Sequence, residues 1–364
     1  MLPFVLVAPG AYLVYLLYER WANDRARRSF RHVIHVNGIR GKTSVCRLID
    51  AHLRGAGYRV FTKTTGSTPC YIGVDGVEHQ IRRLGPASIG EQLRMIRRAH
   101  RQGAEILILE CMAVQPELQT VAQRDMVKGD LNVITNVRYD HIFEMGEELP
   151  EIAQSLSAVI PAGGALFTAD RDFFPFFQEK CGKLGTEAIL CTPDQWAQNE
   201  NGAIACAIGT YLGVDPATFA DHIQGYQEDF GAHHLYPTPQ GGGFLSLFSA
   251  NDPQSTRMLL EQYVREPEKA VFLYNSRADR PDRLLLFIRH FFTQFPCGPV
   301  LVMGEGRTAA CRLLRKAGLK DVRSVRTWQE ALAAAEEATL VGVGNIKGQA
   351  YHMIEYFEQG GERK

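Results

Sequence analysis

The 364-residue sequence predicts an α/β protein of two domains behind an N-terminal membrane helix. Three observations carry this. Short β-branched runs alternate with longer amphipathic stretches from residue 32 onward, a Gly/Pro tract (PTPQGGG, 237–243) interrupts the alternation, and residues 2–18 hold no charge. Strand–helix alternation implies a parallel sheet with helices on both faces. A chain of this length can bury two cores. Its apolar share of 45% and charged share of 22% suit a folded protein and exclude a disordered one. Forty basic and forty acidic side chains cancel. Broad nucleic-acid binding, which shows as a basic excess, is thereby disfavoured. A small anionic substrate needs only a local basic site.

The first element is the apolar run LPFVLVAPGAYLVYLLY. As a helix it spans about 26 Å, slightly short of a bilayer core. Arg20, Arg25, Arg27, Arg28 and Arg31 follow at once, which by the positive-inside rule places the rest of the chain in the cytoplasm. Tyr12, Tyr15, Tyr18 and Trp21 suit the interfaces. A cleaved signal peptide wants positive charge before the run and a small-residue cleavage site after it, and neither is present. A buried or interfacial helix is the other reading, because Pro9-Gly10 interrupts the run. The anchor is residues 1–21 on the membrane reading.

Strands are then expected at 32–37, 59–62, 106–110, 131–136, 165–168 and 187–191. Helices at 42–56, 89–102, 149–160 and 201–212 lie between them. Together they form a central domain, 32–240. The tract at 237–243 reads as a linker. Strands at 244–249, 270–274, 300–303, 322–325 and 340–343 then make a smaller domain, 244–364. The eight cysteines form no CxxC pair and no zinc spacing, so they read as reduced thiols.

The sharpest local feature is VIHVNGIRGKTS (33–44), an apolar strand, a glycine loop, then Gly41-Lys42-Thr43 and a helix. That is the setting of a phosphate-binding P-loop. Glycines let backbone N–H groups point at phosphate oxygens, and the helix N-terminus adds partial positive charge. Lys42 would reach the β- and γ-phosphates, and the Thr43 hydroxyl would ligate Mg²⁺. Position 36 is Val where the longer pattern has Gly, so the loop is the short form starting at Gly38. The bland alternative is an ordinary βα turn. Nucleotide binding by itself leaves kinase, GTPase, motor and ligase open.

Two further positions read physically. Glu110 ends a buried strand at its carboxyl end, where α/β enzymes place their sites, and a hard carboxylate there suits Mg²⁺. A helix-capping Glu is the alternative. Thr64-Thr65-Gly66 ends the second strand, where small hydroxyl residues can hold phosphate or acyl oxygens, although a simple turn has the same composition.

The segments VNGIRGKTSV (36–45), KTTG (63–66), IGEQ (89–92), ECMAVQP (110–116) and NVRYDH…MG (136–146) stand in this order. SANDPQST (249–256), SRADRPDR (276–283) and GVGNIKG (342–348) follow. Together they resemble the Mur-ligase superfamily and, within it, the ligase subunit of poly-γ-glutamate synthase, the PgsB/CapB family. The resemblance implies a P-loop Mur-ligase-like central domain and a smaller Rossmann-like C-terminal domain. It implies that Asn37, Gly38, Arg40, Gly41, Lys42, Thr43 and Ser44 surround ATP. Asn201 would face the adenine, or it is a plain N-cap. Lys42, Glu110 and His141 would be catalytic, with Thr43, Glu110 and His141 as metal ligands to one or two Mg²⁺ and Asp140 orienting the site. A satisfied surface or core histidine is the other reading of His141. Thr64, Thr65, Gly66, Asn251, Asp252, Arg277, Arg280 and Arg283 would meet the substrate. Guanidinium groups bind carboxylates bidentately, but a self-neutralising charge run reads equally well. The Arg of the superfamily's Pro-Gly-x-Arg element is missing from FGAHH (230–234), where His233 or His234 would substitute.

The resemblance further implies a γ-carboxylate activated as an acyl phosphate, then attacked by the amine of glutamate on a poly-γ-glutamate chain. Implied partners are small membrane subunits of a synthase and export complex and further copies in a homo-oligomer, with no nucleic acid. The place would be the bacterial cell membrane, single-pass, with cytoplasmic catalytic domains. Two alternatives stay open: a membrane-tethered NTPase switch or assembly factor, and a Mur-type ligase for wall peptides or folate.

Overall fold

The computed structural model describes residues 2–66, 69–83, 85–226 and 233–360, with side chains from residue 9 onward. Met1–Val137 with Glu144–Gln227 make one compact unit, and Arg138–Phe143 with Glu228–Lys364 make a second.

The first unit is built on an eight-stranded sheet. Its strands are β1 (His32–Asn37), β2 (Val60–Thr64), β3 (Cys70–Ile72), β4 (Glu78–Gln80), β5 (Ile106–Glu110), β6 (Leu131–Ile134), β7 (Ala165–Thr168) and β8 (Glu187–Leu190). The order is β4-β3-β2-β5-β1-β6-β7-β8. The pairings are parallel except at one edge, where β3 lies antiparallel to β2 and β4 antiparallel to β3. Each parallel strand falls where the apolar runs predict one, within a residue or two. The β3–β4 hairpin was not predicted, since three-residue strands, one of them the exposed EHQ, show no usable periodicity.

Strand β5 (ILILE) is buried throughout, as a central parallel strand covered on both faces must be. Strand β1 lies between β5 and β6, which leaves the carboxyl ends of three neighbouring strands level: Val36 pairs with Glu110, and Asn37 with Ile134. The crossovers after β1 run to opposite sides of it, so a crevice opens at those ends. Helix α2 (Lys42–Gly55) buries Val45, Cys46, Ile49 and Leu53 with Ile34, Val36, Ile106 and Ile108. Each such side chain contributes roughly 1.5–3 kcal/mol.

Helix α1 (Leu2–Arg27) continues through Pro9 and past residue 21. Its last turns dock on the first unit. Arg27 pairs with Asp130 at 2.8 Å, and the Asn23 amide donates to the Met126 carbonyl at 2.9 Å. Ala26 and Phe30 are buried with Met95, Ile96 and Ala99 of α3 (Glu91–Arg101). Among the described residues no helix is long and apolar enough to cross a membrane.

The second unit holds β9 (His234–Pro237), β10 (Gly243–Ser246), β11 (Val271–Ser276), β12 (Val300–Gly304), β13 (Val322–Ser324) and β14 (Leu340–Gly344). Their order is β13-β12-β11-β14-β10-β9, parallel except for β9. The tract at 237–243 is therefore a hairpin turn inside this unit. The expected boundary at 240–244 moves upstream. Thr238 N–H donates to the Gly242 carbonyl at 3.1 Å, Gly241 has φ 89°, and a Cβ on Gly242 would lie 2.6 Å from the Ala338 carbonyl oxygen. Linkers and tight turns draw on the same Gly and Pro chemistry.

Candidate active site

The loop between β1 and α2 is glycine-dependent for steric reasons. Gly38 has φ 120°, and a Cβ there would sit 2.1 Å from Thr135 Oγ1. Gly41 has φ 79°, with Asn201 Oδ1 2.6 Å from any added Cβ. The end of β6 clamps the loop. Thr135 Oγ1 donates to the Arg40 carbonyl at 2.6 Å, and the Asn136 amide donates to the same oxygen at 3.1 Å. Asn136 Oδ1 accepts in return from Arg40 N–H at 3.0 Å. Lys42 Nζ folds over the loop and donates to the carbonyls of Gly38 (2.6 Å) and Ile39 (3.2 Å).

One helical position on, the Thr43 hydroxyl donates to Glu110 Oε2 at 3.0 Å. The Thr65 N–H donates to the same oxygen at 2.6 Å. A Cβ on Gly66 would lie 3.1 Å from Thr43 Oγ1, and the Gln92 amide donates to the Glu110 carbonyl at 3.0 Å. Thr43, Glu110, Thr65 and Gly66 thus converge from three segments on the N-terminus of α2. A helix N-terminus with a lysine attracts anions, and paired hydroxyl and carboxylate oxygens suit a hard divalent cation. Among the described residues, no three His, Cys, Asp or Glu side chains gather as a metal site.

Behind Glu110 lies a charge chain, buried at Lys63 and Glu91 and reaching the surface at Arg83. Lys63, with no exposed surface, pairs with Glu91 at 3.0 Å, and Glu91 pairs with Arg83 at 2.8 Å. Burial pushes the Lys63 pKa down, against the pull of Glu91 and Glu110. Burial works to raise that of Glu91, but the Arg83 hydrogen bonds and the Lys63 charge hold it at about 2.

Other expected residues sit elsewhere. Asn37 is buried and its amide donates to Gln119 Oε1 at 2.7 Å. Thr64 is buried with its hydroxyl 3.0 Å from Cys70 Sγ. Ser44 is half-buried in the first turn of α2. The cap of the helix Glu200–Tyr211 is Asn199, which accepts from Gly202 N–H at 2.8 Å. Asn201 is therefore not the N-cap; it lies against Gly41.

Asp140 and His141 belong to the second unit. Asp140, 1% exposed, accepts from Arg280 at 2.5 Å and Arg283 at 3.0 Å. His141 adopts φ 53°, its N–H donating to Asp140 Oδ1 at 2.9 Å. Arg280 also pairs with Asp282 at 3.0 Å. Burial alone would lower its pKa, yet Asp282 and Asp140 hold it above the ordinary arginine value. Arg283 is buried and donates to Asn251 Oδ1 at 3.1 Å and to Asn345 Oδ1. Arg277 pairs with Asp279. Asp252 caps the helix Pro253–Tyr263 by accepting from Ser255 N–H at 2.8 Å. The ring of His234 on β9 lies 5.9 Å from Tyr236 and that of His233 5.9 Å from Tyr263, while 230–232 fall outside the described residues. The residues that sequence reasoning missed are Thr135, Asn136, Lys63, Glu91, Gln92 and Asn345. Their only local signal is polarity at the ends of apolar strands or within the quoted motifs.

The family model described as Mur ligase middle domain matches residues 36–202, and the one described as poly-gamma-glutamate synthase CapB C-terminal domain matches 235–360. The chain is 29% identical to the capsule biosynthesis protein CapB of Bacillus anthracis, covering 94% of this chain and 80% of that one. It is also 29% identical to PGA synthase CapB of Bacillus subtilis (strain 168), over 96% of each. Among solved structures, E. coli FolC in complex with ADP superposes with a TM-score of 0.66 at 16% identity, over 97% of this chain and 98% of that one.

Proposed function

We infer that the chain is a CapB-type synthase of the Mur ligase superfamily, an ATP-dependent, ADP-forming amide ligase making poly-γ-glutamate. The observation that carries the reading is the convergence of Thr43, Glu110 and Thr65 beside Lys42 at the start of α2. Carboxylate and triphosphate are both anionic and repel. Lys42, released from the carbonyls it now holds, would meet the β- and γ-phosphates, and the loop N–H groups freed by Gly38 and Gly41 would take phosphate oxygens. Thr43 and Glu110 have the hard oxygen chemistry for Mg²⁺. A bound Mg²⁺ supplies charge neutralisation at the phosphates. Glu110 is held for that role by Thr65 and Gln92. The γ-phosphoryl group passes to a glutamate γ-carboxylate with release of ADP, and the amine of the next glutamate then displaces phosphate to form the amide.

Membrane attachment through α1, with both units on the cytoplasmic side, belongs to the same proposal, as do small membrane subunits and a homo-oligomer. The exposed run Tyr12, Leu13, Val14, Leu17 and Tyr18, followed by Arg20 and Arg25, supports the attachment.

The test is ADP release and product formation by the purified full chain with L-glutamate, D-glutamate or no amino acid. A γ-linked oligomer that falls by about 10²–10³ in Lys42→Ala and Glu110→Ala is expected. ATP turnover indifferent to every amino acid, with or without co-expressed membrane subunits, would sink the ligase reading in favour of a nucleotide switch.

A further inference from the structure

We propose that a cavity between α1, α3 and the segment following β4 is a binding site for the anionic headgroup of a membrane phospholipid. The cavity measures about 1120 Å³, and its lining includes seven arginines but a single carboxylate, Glu91. That carboxylate is already engaged by Lys63 and Arg83. Arg82, Arg94 and Arg101 are exposed and form no ion pair among the described residues. Arg83 and Arg97 have carboxylate partners in Glu91 and Glu19; the five other guanidinium groups repel one another and call for an anion from outside the chain.

The position of the cavity selects the source of that anion. Tyr18, Trp21 and Arg25 of α1 form part of its wall, and α1 exposes Tyr12 (63%), Val14 (66%) and Leu17 (59%) just before them. From Tyr12 to Arg25 the helix rises about 20 Å. An apolar stretch, then amphipathic rings, then arginines is the order that a bilayer presents as hydrocarbon, interface and phosphate. The Arg25 guanidinium already lies 5.5 Å from the Trp21 ring centroid, and that of Arg98 lies 4.7 Å from Tyr71. Both charges are thereby aimed while their hydrogen-bonding edges stay available. The wall is also rigidly mounted. Arg97 reaches Glu19 at 3.3 Å, and Ser29 Oγ, just past the end of α1, lies 2.7 Å from His100 Nδ1, so α3 is tied both to α1 and to the turn that follows it.

The proposal rests on the membrane attachment argued above, and the two fail differently. The experiment is flotation of the full chain with vesicles of phosphatidylcholine alone or with about 30 mol% phosphatidylglycerol, which gives them a negative surface potential. We expect binding to both, at least tenfold tighter to the anionic vesicles. Arg82→Gln/Arg94→Gln/Arg101→Gln should remove that preference, at about fivefold per arginine. It should leave phosphatidylcholine binding, circular dichroism and ATP turnover unchanged. A triple variant that keeps the anionic preference overturns the headgroup site. Binding to neither vesicle would overturn the attachment itself.

Discussion

At the scale of single residues, the site depends on charges that the fold has taken out of water. Glu110 is 3% exposed and is held by two donors to one oxygen. Glu110→Gln keeps the shape and removes the charge, so it should separate metal-dependent turnover from folding: turnover falls about 10²–10³ with an unchanged melting temperature. Lys63→Met has the opposite profile. It leaves Glu91 buried with Arg83 alone, and breaking a buried pair costs about 3–5 kcal/mol, to be read from urea unfolding. An equally stable Lys63→Met would show that the pair is held for something other than the fold. Buried histidines add a pH dependence. Burial lowers the pKa of His35 and of His52 to about 4 from the ordinary 6.5, with Lys63 near the first and His222 near the second adding to the fall. Their protonation favours the unfolded chain. Stability should therefore be full above about pH 6.5 and decline as the pH falls toward 4; a denaturation midpoint flat between pH 7 and 5 would contradict this. None of these burials is visible in the sequence, where Lys63 reads only as the start of KTTG.

At the scale of elements, the β1–α2 loop tests whether glycine is there for flexibility or for space. Gly38→Ala would drive a Cβ into Thr135, whereas Gly57, at φ 90°, has nothing within 4 Å of an added Cβ. Gly57→Ala should cost only backbone strain, about 1 kcal/mol. Gly38→Ala should also weaken ATP binding at least tenfold by isothermal calorimetry, because the loop must leave its clamp at Arg40. Equal effects of the two substitutions would mean that the clamp does not shape the site. The loop itself was legible, as an apolar strand followed by GIRGKT. Its clamp was not, because Thr135 and Asn136 stand 95 and 96 residues from Arg40 and meet it only through the β1–β6 pairing. The helix cap at Asn199 and the hairpin turn at 238–242 were misplaced for a simpler reason. Asn, Gly and Pro serve caps, turns and linkers alike.

At the scale of the whole molecule, two α/β units are joined by a chain that leaves the first at Val137, contributes Arg138–Phe143 to the second, and returns at Glu144. Asp140 is the hub of that excursion in the second unit. Asp140→Asn leaves Arg280 and Arg283 without their shared countercharge, and a loss of about 3–5 kcal/mol is expected for that unit by urea unfolding. An unshifted transition would show that the arginines find other partners. The sequence by itself determined the strand positions, the glycine loop and Glu110 at a strand end, because each is written in periodicity and turn chemistry over a few residues. Only the tertiary structure decided which strands are neighbours, that Lys63 faces Glu91, that Arg283 is buried between Asp140 and Asn345, and that arginines from separate segments share one cavity. Those outcomes come from packing residues scores of positions apart, and no local pattern encodes the pairing.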